Sequence, residues 1–277
     1  MSSKVNYGRY RVNTDGLVFR VDGYSQRSYS HNTENWKDLS PSGLDVKLTD
    51  TGLYDEDSGY YKFRNPNNGT NKYAAVSGAN FSGLRSLGVL KDDDSSFTIE
   101  AFFEIKPSGE NSPPDDGAVI FGNTDANKSG FSYGLITKTG NGGEISGINA
   151  FIASNKVDQT LNHPWTGVEV VLSDVNNPSI SGSDFRHAAM TYNGSNGKMI
   201  GYLDGVAKGT GTFPSDNTSG FHNGTVDGVY QQFYIGGNLD SGLNTNIGMV
   251  GCYNRALSSG EVLGNCKAVK HRYGQGY

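Results

Sequence analysis

A single stretch, Ser96 to Lys106, limits the fold of this chain more than any other part of its sequence. Apolar residues occupy every second position, and Thr98, Glu100, Glu104 and Lys106 make the intervening positions mostly polar. Successive side chains of a β-strand point to opposite faces of the sheet, so this alternation predicts a half-buried strand. The residues expected in the interior are Phe97, Ile99, Ala101, Phe103 and Ile105.

The two faces of this strand carry different expectations. The dry face needs a cover, and the usual cover for one sheet is a second sheet packed against it. Glu100 and Glu104 share the opposite face with Lys106, and we expect that face to be solvated or lined by surface ion pairs. The stretch therefore predicts two sheets around a common core.

The composition favours short strands joined by tight turns. The 277 residues include 39 Gly, 16 Tyr and 13 Phe but only 4 Met, and 18% are charged. Glycine is common in turns and aromatic residues are common in strands. The net charge is −5 and no block of Lys or Arg occurs. Nucleic acid and an anionic membrane are therefore poor partners on electrostatic grounds.

The N-terminal sequence predicts a protein made in the cytoplasm. Residues 1–16 contain no apolar segment of the kind found in a secretory signal, and no run approaches the ~18 apolar residues of a membrane span. Cys252 falls in an apolar strand pattern and Cys266 in a helical one, so we expect two buried free thiols. A disulfide between them is the alternative, which a reducing cytoplasm disfavours.

Most of the remaining chain is a succession of short strand patterns separated by turn-forming residues. The clearest is a pair of hairpins, in which His187–Tyr192 and Lys198–Leu203 flank an Asn-Gly turn and Asp204-Gly205 then reverses the chain. These dipeptides favour tight hairpins because they tolerate positive φ. The pattern predicts a single antiparallel sandwich over residues 15–277, with no linker between domains.

The two ends of the chain depart from the strand pattern. Residues 1–14 are polar and aperiodic and are predicted to form an N-terminal arm, either a frayed terminus or a segment that docks on a neighbouring subunit. Near the C-terminus, Ser258 and Glu261 have the S-x-x-E spacing of a helix capping box. Apolar residues then follow one helical face, which predicts a short helix packed against the sandwich. Its expected contact residues are Val262, Leu263, Cys266 and Val269.

Two features of the polar segments have alternative interpretations. Trp36 stands in a polar run and is expected to fill the edge of the core, with a glycan-stacking role as the alternative. Asp92, Asp93 and Asp94 precede the central strand and are expected to form a solvated turn. Calcium, which takes oxygen ligands, is the alternative, although the spacing matches no EF-hand loop. No other cofactor is expected.

The order of these segments resembles the concanavalin A-like, or laminin-G-like, sandwich modules that occur in many bacteriophage structural proteins. Matching stretches run through nearly the whole chain, and the closing one, Tyr253–Ser258, is the most particular. Where the family usually has a tryptophan before its histidine-containing strand, this chain has Phe185, which also fills a core. The other stretches are Thr14–Val18, Ser28–Tyr29, Trp36–Ser40, Phe97–Ala101, Arg186–Gly194, Tyr202–Val206, Phe233–Gly237, Glu261–Leu263 and Arg272–Gly274.

The resemblance implies an all-β fold, a two-sheet antiparallel jelly-roll sandwich with one short C-terminal helix. It also implies a virion protein, assembled in the host cytoplasm, that is either a capsid-surface decoration or a tail or fibre component. The expected partners are other virion proteins and copies of the same chain, with host-surface glycan as a further ligand. A free-standing carbohydrate-binding module or lectin is the alternative, because fold alone does not fix function.

The sequence lacks the motifs of the enzymes built on this fold. Laminarinase-like glycosidases carry an E-x-D-x-x-E string, which is absent here, and no G-x-S-x-G elbow or P-loop occurs. The five His are not spaced as zinc ligands, and His187 is expected to be a structural histidine of its hairpin. We therefore predict a non-enzymatic protein, with no catalytic residues and no metal site.

The resemblance implies a glycan-binding site but does not say which residues form it. The carbohydrate sites of the family use loops at the sandwich rim, where an aromatic ring and polar groups meet the sugar. Trp165, with Asn162 and His163 beside it, is the candidate loop, and Tyr133 and Phe221 are secondary candidates. A rim tryptophan can equally pack against a neighbouring subunit, so both interpretations of Trp165 stay open.

Overall fold

Eighteen strands and one helix lie within the described part of the computed structural model. The described residues are 11–29, 33–50, 53–64, 72–76, 95–106, 119–123, 133–139, 145–153, 167–173, 184–212, 225–226, 229–230, 233–237 and 243–273. In chain order the elements are β1 (Leu17–Asp22), β2 (Asn35–Trp36), β3 (Val46–Leu48), β4 (Tyr54–Asp55), β5 (Tyr60–Phe63), β6 (Ala74–Val76), β7 (Phe97–Ile105), β8 (Val119–Asn123), β9 (Tyr133–Thr139), β10 (Ile145–Ala153), β11 (Gly167–Ser173), β12 (Arg186–Asn193), β13 (Lys198–Leu203), β14 (Val206–Thr212), β15 (Thr225–Val226), β16 (Val229–Tyr230), β17 (Phe233–Ile235), β18 (Thr245–Tyr253) and α1 (Ser259–Arg272).

The strands form two eight-stranded sheets. The first sheet has the order β14-β13-β12-β7-β18-β5-β4, and β1 also pairs with β18. The second has the order β11-β10-β9-β8-β17-β6-β3-β2, while β15 and β16 form a separate two-stranded ribbon. Every strand pairing within the described residues is antiparallel. The predicted all-β sandwich with one C-terminal helix is confirmed.

β7 lies in the middle of the first sheet, between β12 and β18. Its alternating apolar residues lie in the common core, as predicted. The alternative that the face carrying Glu100 and Glu104 is solvated is wrong, because all nine residues of β7 are buried, whereas the expected ion pair is present between Glu104 and the partly exposed Lys106. Phe102, on that same face, packs in one cluster with Val269 of α1, so the helix covers what the sequence pattern suggests is an open surface.

Aromatic rings fill much of the interior. Trp36 is fully buried with its ring centroid 4.1 Å from that of Tyr61, which confirms that it fills the core and excludes it as an exposed stacking ring. Phe185 is also buried, and its ring stacks on Phe102 with 5.0 Å between centroids. A phenylalanine at this position therefore fills the space, as expected.

The two predicted hairpins are present. β12 pairs with β13, and β13 with β14. Asp204 has a φ of 52° and Gly205 a φ of 76°, the left-handed values that a tight hairpin turn requires. A Cβ atom on Gly205 would lie 2.8 Å from Cδ1 of Leu263, so the glycine also lets α1 approach the turn closely.

The helix α1 begins with the predicted capping box. The Ser258 side chain accepts a hydrogen bond from the backbone N–H of Glu261, and the Glu261 carboxylate accepts one from the backbone N–H of Ser258. Val262, Cys266 and Val269 are buried against the sandwich, as expected. Within the described ranges, no helix has both the length and the apolar character needed to cross a membrane.

Both cysteines are free and buried, which confirms the prediction of two unpaired thiols. Of the predicted N-terminal arm, residues 1–10 lie outside the described part. The Val12 side chain packs against the cluster formed by Phe102, Phe185 and Val269. The last residues before β1 therefore contact the body of the same chain, and the boundary at residue 14 stays a prediction.

Candidate functional site

Four of the five residues expected at a glycan-binding rim lie outside the described residues. They are Trp165, Asn162, His163 and Phe221, and their role stays a prediction. The fifth, Tyr133, is only 1% exposed. Its ring lies 5.1 Å from that of Phe97 and 5.8 Å from that of Phe233, both core residues. Tyr133 is therefore corrected from a rim candidate to a core residue, because β9 directs it into the sandwich.

The three adjacent aspartates, Asp92, Asp93 and Asp94, also fall outside the described residues, so the choice between a solvated turn and a calcium site stays open. Elsewhere, in the parts of the chain that the structure describes, no three His, Cys, Asp or Glu side chains come together as a metal site would require.

A buried hydrogen-bond network joins β7 to α1, and we call its members, Glu100, His187, Tyr253 and Asn265, the Glu100 network. Nε2 of His187 lies 3.3 Å from Oε2 of Glu100. The Asn265 amide donates to the same oxygen at 3.0 Å, and the Tyr253 hydroxyl donates to Oε1 at 3.2 Å. All four side chains have no solvent exposure. The network supplies the partners that a buried carboxylate needs.

The network favours the ionised forms of Glu100 and His187. Burial alone would raise the pKa of Glu100, but the bond and charge of His187 and the charge of Arg20 lower it below its usual value. Burial would likewise lower the pKa of His187, yet the Cys266 side chain and Glu100 together raise it to about 9. Nδ1 of His187 makes no hydrogen bond of its own, and Glu100 holds the ring through Nε2.

The N-terminal residues reach the same region. The backbone N–H of Asn13 donates to Oδ1 of Asn265 at 2.7 Å, and its side-chain amide donates to Glu261 at 2.6 Å. The Tyr253 hydroxyl also contacts the Asn13 carbonyl oxygen, at 3.1 Å. The segment before β1, the last long strand and α1 are thereby tied to each other.

A second buried ion cluster lies at Asp22. One carboxylate oxygen of Asp22 accepts from Nη2 of Arg20 at 2.9 Å and from Nη1 of Arg272 in α1. Although burial lowers the pKa of Arg20, the charges of Asp22, Tyr253 and Glu100 raise it overall. This second cluster also holds α1 against the sheet.

The carboxylates of β7 are both engaged in structural contacts. Glu104 accepts hydrogen bonds from the amide of Asn246 at 2.6 Å and from the ammonium of Lys106. Glu100 is enclosed in its own network. Glycosidases need an acid and a nucleophile or base that both reach the sugar, and these two carboxylates are buried at 0% and 3% exposure. Both carboxylates therefore make contacts that stabilise the sandwich.

A group of three tyrosines lies where the turn after β1 meets the turn between β4 and β5: Tyr24 is exposed, while Tyr29 and Tyr54 are partly buried against the core. We call Tyr24, Tyr29 and Tyr54 the tyrosine surface. Tyr24 is 49% exposed, and one side of its ring rests against Tyr273 with 5.5 Å between centroids. A Cβ atom on Gly59 would lie 3.0 Å from Cδ2 of Tyr24, so the absence of a side chain at Gly59 lets the Tyr24 ring pack directly against the backbone.

The second part of the tyrosine surface is a stacked pair. The rings of Tyr29 and Tyr54 lie 3.5 Å apart, centroid to centroid, and the Tyr54 hydroxyl donates to the Gly23 carbonyl oxygen at 2.8 Å. Burial, followed by the charges of Tyr29 and Glu56, raises the pKa of Tyr54 to about 12. The Tyr54 hydroxyl therefore stays protonated at neutral pH and keeps its hydrogen bond to Gly23.

Sequence reasoning missed this surface because it treated residues 23–43 as a polar run with one aromatic of interest, Trp36. The signal was present in that run, since Tyr24 follows Gly23 directly and Tyr29 lies five positions further on. Two tyrosines in a turn-rich segment are candidates for an exposed recognition surface. The exposure of Tyr24 and Tyr29 depends on residues 55–59, which are distant in sequence and which the fold brings beside these two rings.

The comparisons with known proteins locate this fold among solved structures. No protein-family model matches the sequence, and a search of curated proteins finds no match. The binding domain of botulinum neurotoxin DC superposes with a TM-score of 0.59 and 11% identity in its complex with SialylT, and with 0.60 and 12% in its complex with rat synaptotagmin II. A structure of botulinum neurotoxin type C, described as interacting with two ganglioside molecules, gives 0.60 and 12%.

The superpositions cover most of this chain but only about half of each neurotoxin chain. They cover 92% of this chain but only 52%, 52% and 51% of the neurotoxin chains, so this chain spans about half the length of the proteins it resembles. At such low identity the likeness concerns the fold. This chain therefore shares its two-sheet sandwich with part of the binding domains of botulinum neurotoxins.

Proposed function

We propose that this chain is a non-enzymatic structural protein of a bacteriophage virion, a capsid-surface decoration or a tail or fibre component, that also adheres to host-surface glycans. Its partners are other virion proteins and copies of itself. Its place of action is the virion, which is assembled in the host cytoplasm.

The observation that carries the adhesion part of the proposal is the sandwich itself. It resembles domains that are described as binding domains, in structures named with SialylT and with ganglioside molecules, over 92% of this chain. The tyrosine surface adds an exposed aromatic site in a rim turn, the kind of position where a sugar ring can stack. The burial of Glu100 and Glu104 supports a protein that binds without hydrolysing.

The virion part of the proposal is supported by the sequence resemblance to phage sandwich modules. The resembling segments have structural roles here: Tyr253 and Arg255 lie at the junction of β18 and α1, where Arg255 pairs with Glu261 at 2.6 Å. This ion pair fixes the junction of β18 and α1, and a rigid module suits a repeated component of a particle.

The proposal is tested on particles and on the isolated chain. Antibody against the chain should label intact purified virions, and electron microscopy should place the label on the capsid surface, tail or fibre. Absence of the chain from purified particles would remove the virion role. A glycan microarray probed with the isolated chain tests adhesion separately.

A free-standing carbohydrate-binding module is the second candidate, favoured by the same likeness to binding domains. It predicts a soluble monomer that binds glycans on the array and is missing from particles. The two experiments together separate it from the virion component.

A further inference from the structure

We propose that Tyr24 is the stacking ring of a binding site for neutral sugars, formed by the turn after β1 and the turn between β4 and β5. The inference rests on the proposed adhesion function and names its site and ligand class. The site differs from the Trp165 loop expected from the sequence.

The first argument is the exposure of Tyr24. The exposed large hydrophobic side chains among the described residues are Tyr24, Val171 and Val206, and only Tyr24 is aromatic. The C–H face of a sugar ring is weakly apolar and packs against the electron-rich face of an aromatic ring. Tyr24 has one side against Tyr273 and Gly59, while 49% of its surface stays open to solvent.

The second argument is that the site is preorganised. The single O–H of Tyr273 lies within hydrogen-bond distance of two carbonyl oxygens, that of Gly59 at 3.0 Å and that of Gly248 at 2.8 Å, and this contact fixes the ring behind Tyr24. The backbone N–H of Tyr24 donates to Oδ1 of the buried Asp22 at 3.2 Å, which fixes its turn. A ring held in place loses little entropy when a ligand binds, so weak stacking still contributes to affinity.

The acidic residues near Tyr24 indicate which class of sugar the site binds. Asp55 ends β4 and is paired with Lys62, and Glu56 and Asp57 follow it in the turn between β4 and β5. Glu56 lies near enough to the stacked pair for its charge to raise the pKa of Tyr29, after burial. Carboxylates accept hydrogen bonds from sugar hydroxyls, but they repel a second carboxylate. The site therefore suits neutral hexoses and disfavours sialylated glycans.

The size of the surface argues for a sugar and against a protein partner. A stable protein interface buries about 800 Å² on each partner, usually around several anchoring side chains. The tyrosine surface offers one open ring, with Tyr29 and Tyr54 stacked on each other beside it. One ring and a few polar groups match the dimensions of a single sugar unit.

The test measures binding of the full chain to neutral oligosaccharides ending in glucose, galactose or N-acetylglucosamine, and to their sialylated counterparts. Tyr24→Ala should weaken neutral-sugar binding by about tenfold, the scale of one lost aromatic contact. Tyr24→Phe keeps the ring and should bind within a few-fold of the parent chain. Val206→Ala, which trims an exposed apolar side chain elsewhere (56% exposed), is the matched control and should bind normally.

Removing the negative charges beside Tyr24 tests the predicted preference for neutral sugars independently. Glu56→Gln combined with Asp57→Asn should raise binding of sialylated glycans relative to neutral ones. Thermal unfolding of each variant verifies folding, which an exposed substitution at Tyr24 should leave intact.

The outcomes separate this inference from the proposed function. Neutral-sugar binding that Tyr24→Ala leaves unchanged would place the site elsewhere and overturn the inference, while adhesion stands. A preference of the parent chain for sialylated glycans would overturn the ligand class. An absence of binding to every glycan would overturn both the inference and the adhesion proposal.

Discussion

Nε2 of His187 lies 3.3 Å from Oε2 of Glu100, and neither side chain is exposed to solvent. The two residues are 87 positions apart in the sequence and meet because β12 pairs with β7. Each would be costly to bury alone, and Glu100 also accepts hydrogen bonds from Asn265 and Tyr253, which compensate its buried charge. The Glu100 network is therefore the polar counterpart of the apolar core on the other face of β7.

The first prediction concerns pH. The folded-state pKa of His187 is about 9 against an ordinary value of 6.5, so its contribution to stability is complete below 6.5 and is lost as the pH rises through 9. The free energy of unfolding should fall across that interval by roughly 3 kcal/mol. Urea denaturation at a series of pH values measures it. His187→Gln should flatten this slope; a parent chain equally stable across the interval would contradict the charged pair.

At acidic pH the stability should change in the opposite direction, falling as the pH falls. The pKa of Glu100 is lowered from 4.5, so its contribution is present above that value and is lost as the pH falls further. Glu100→Gln at neutral pH should cost about 3 kcal/mol, because it leaves a buried charge without its partner. Lys47→Ala, which breaks the exposed Lys47–Glu34 pair, is the control and should cost no more than about 1 kcal/mol.

The second prediction concerns the start of α1. Ser258→Ala removes the side-chain acceptor of the capping box and should lower the free energy of unfolding by about 1 kcal/mol. Gly264→Ala lies within the same helix and should instead raise it by about 0.5–1 kcal/mol, since a Cβ there meets no atom within 4 Å. Chemical denaturation of both variants checks these opposite signs. A loss of stability in Gly264→Ala would mean that the helix packs more closely there.

The third prediction concerns the contact between the two sheets at β13 and β11. A Cβ on Gly201 would lie 2.5 Å from Cδ2 of Leu172 and 2.8 Å from Cγ1 of Val170. Gly201→Ala should therefore destabilise the sandwich by about 1–3 kcal/mol through overpacking. Leu172→Ala alone is destabilising because Leu172 is a core residue, so the cause is tested with a double-mutant cycle: Gly201→Ala should cost less in the Leu172→Ala background than in the parent chain. An equal cost of Gly201→Ala in both backgrounds would point to a different origin.

The fourth prediction concerns the two thiols. Cys252 and Cys266 are buried, and burial raises the pKa of Cys252 well above its ordinary value. A thiol-reactive dye should label neither residue in the native protein and both after denaturation, because reaction needs an accessible thiolate. Mass spectrometry of the labelled chain gives the count. Rapid labelling of either thiol under native conditions would show that the helix α1 opens from the sheet.

Local patterns along the chain are enough to predict the class of the fold. The alternation in β7, the Asp204-Gly205 turn and the Ser258–Glu261 spacing are local patterns whose geometry follows from nearby residues, and each is found where predicted. Local periodicity fixes which side chains share a face, because a strand alternates sides and a helix repeats every 3.6 residues.

The segment that covers each face of a strand or helix is set by long-range contacts. Glu100 is buried because Asn265, 165 positions later, closes over it, and no local pattern records that contact. Tyr133 turns inward and Tyr24 outward for the same reason, since burial depends on distant segments that the fold brings together. A period of two separates the sides of a strand, and long-range packing alone decides which side water reaches.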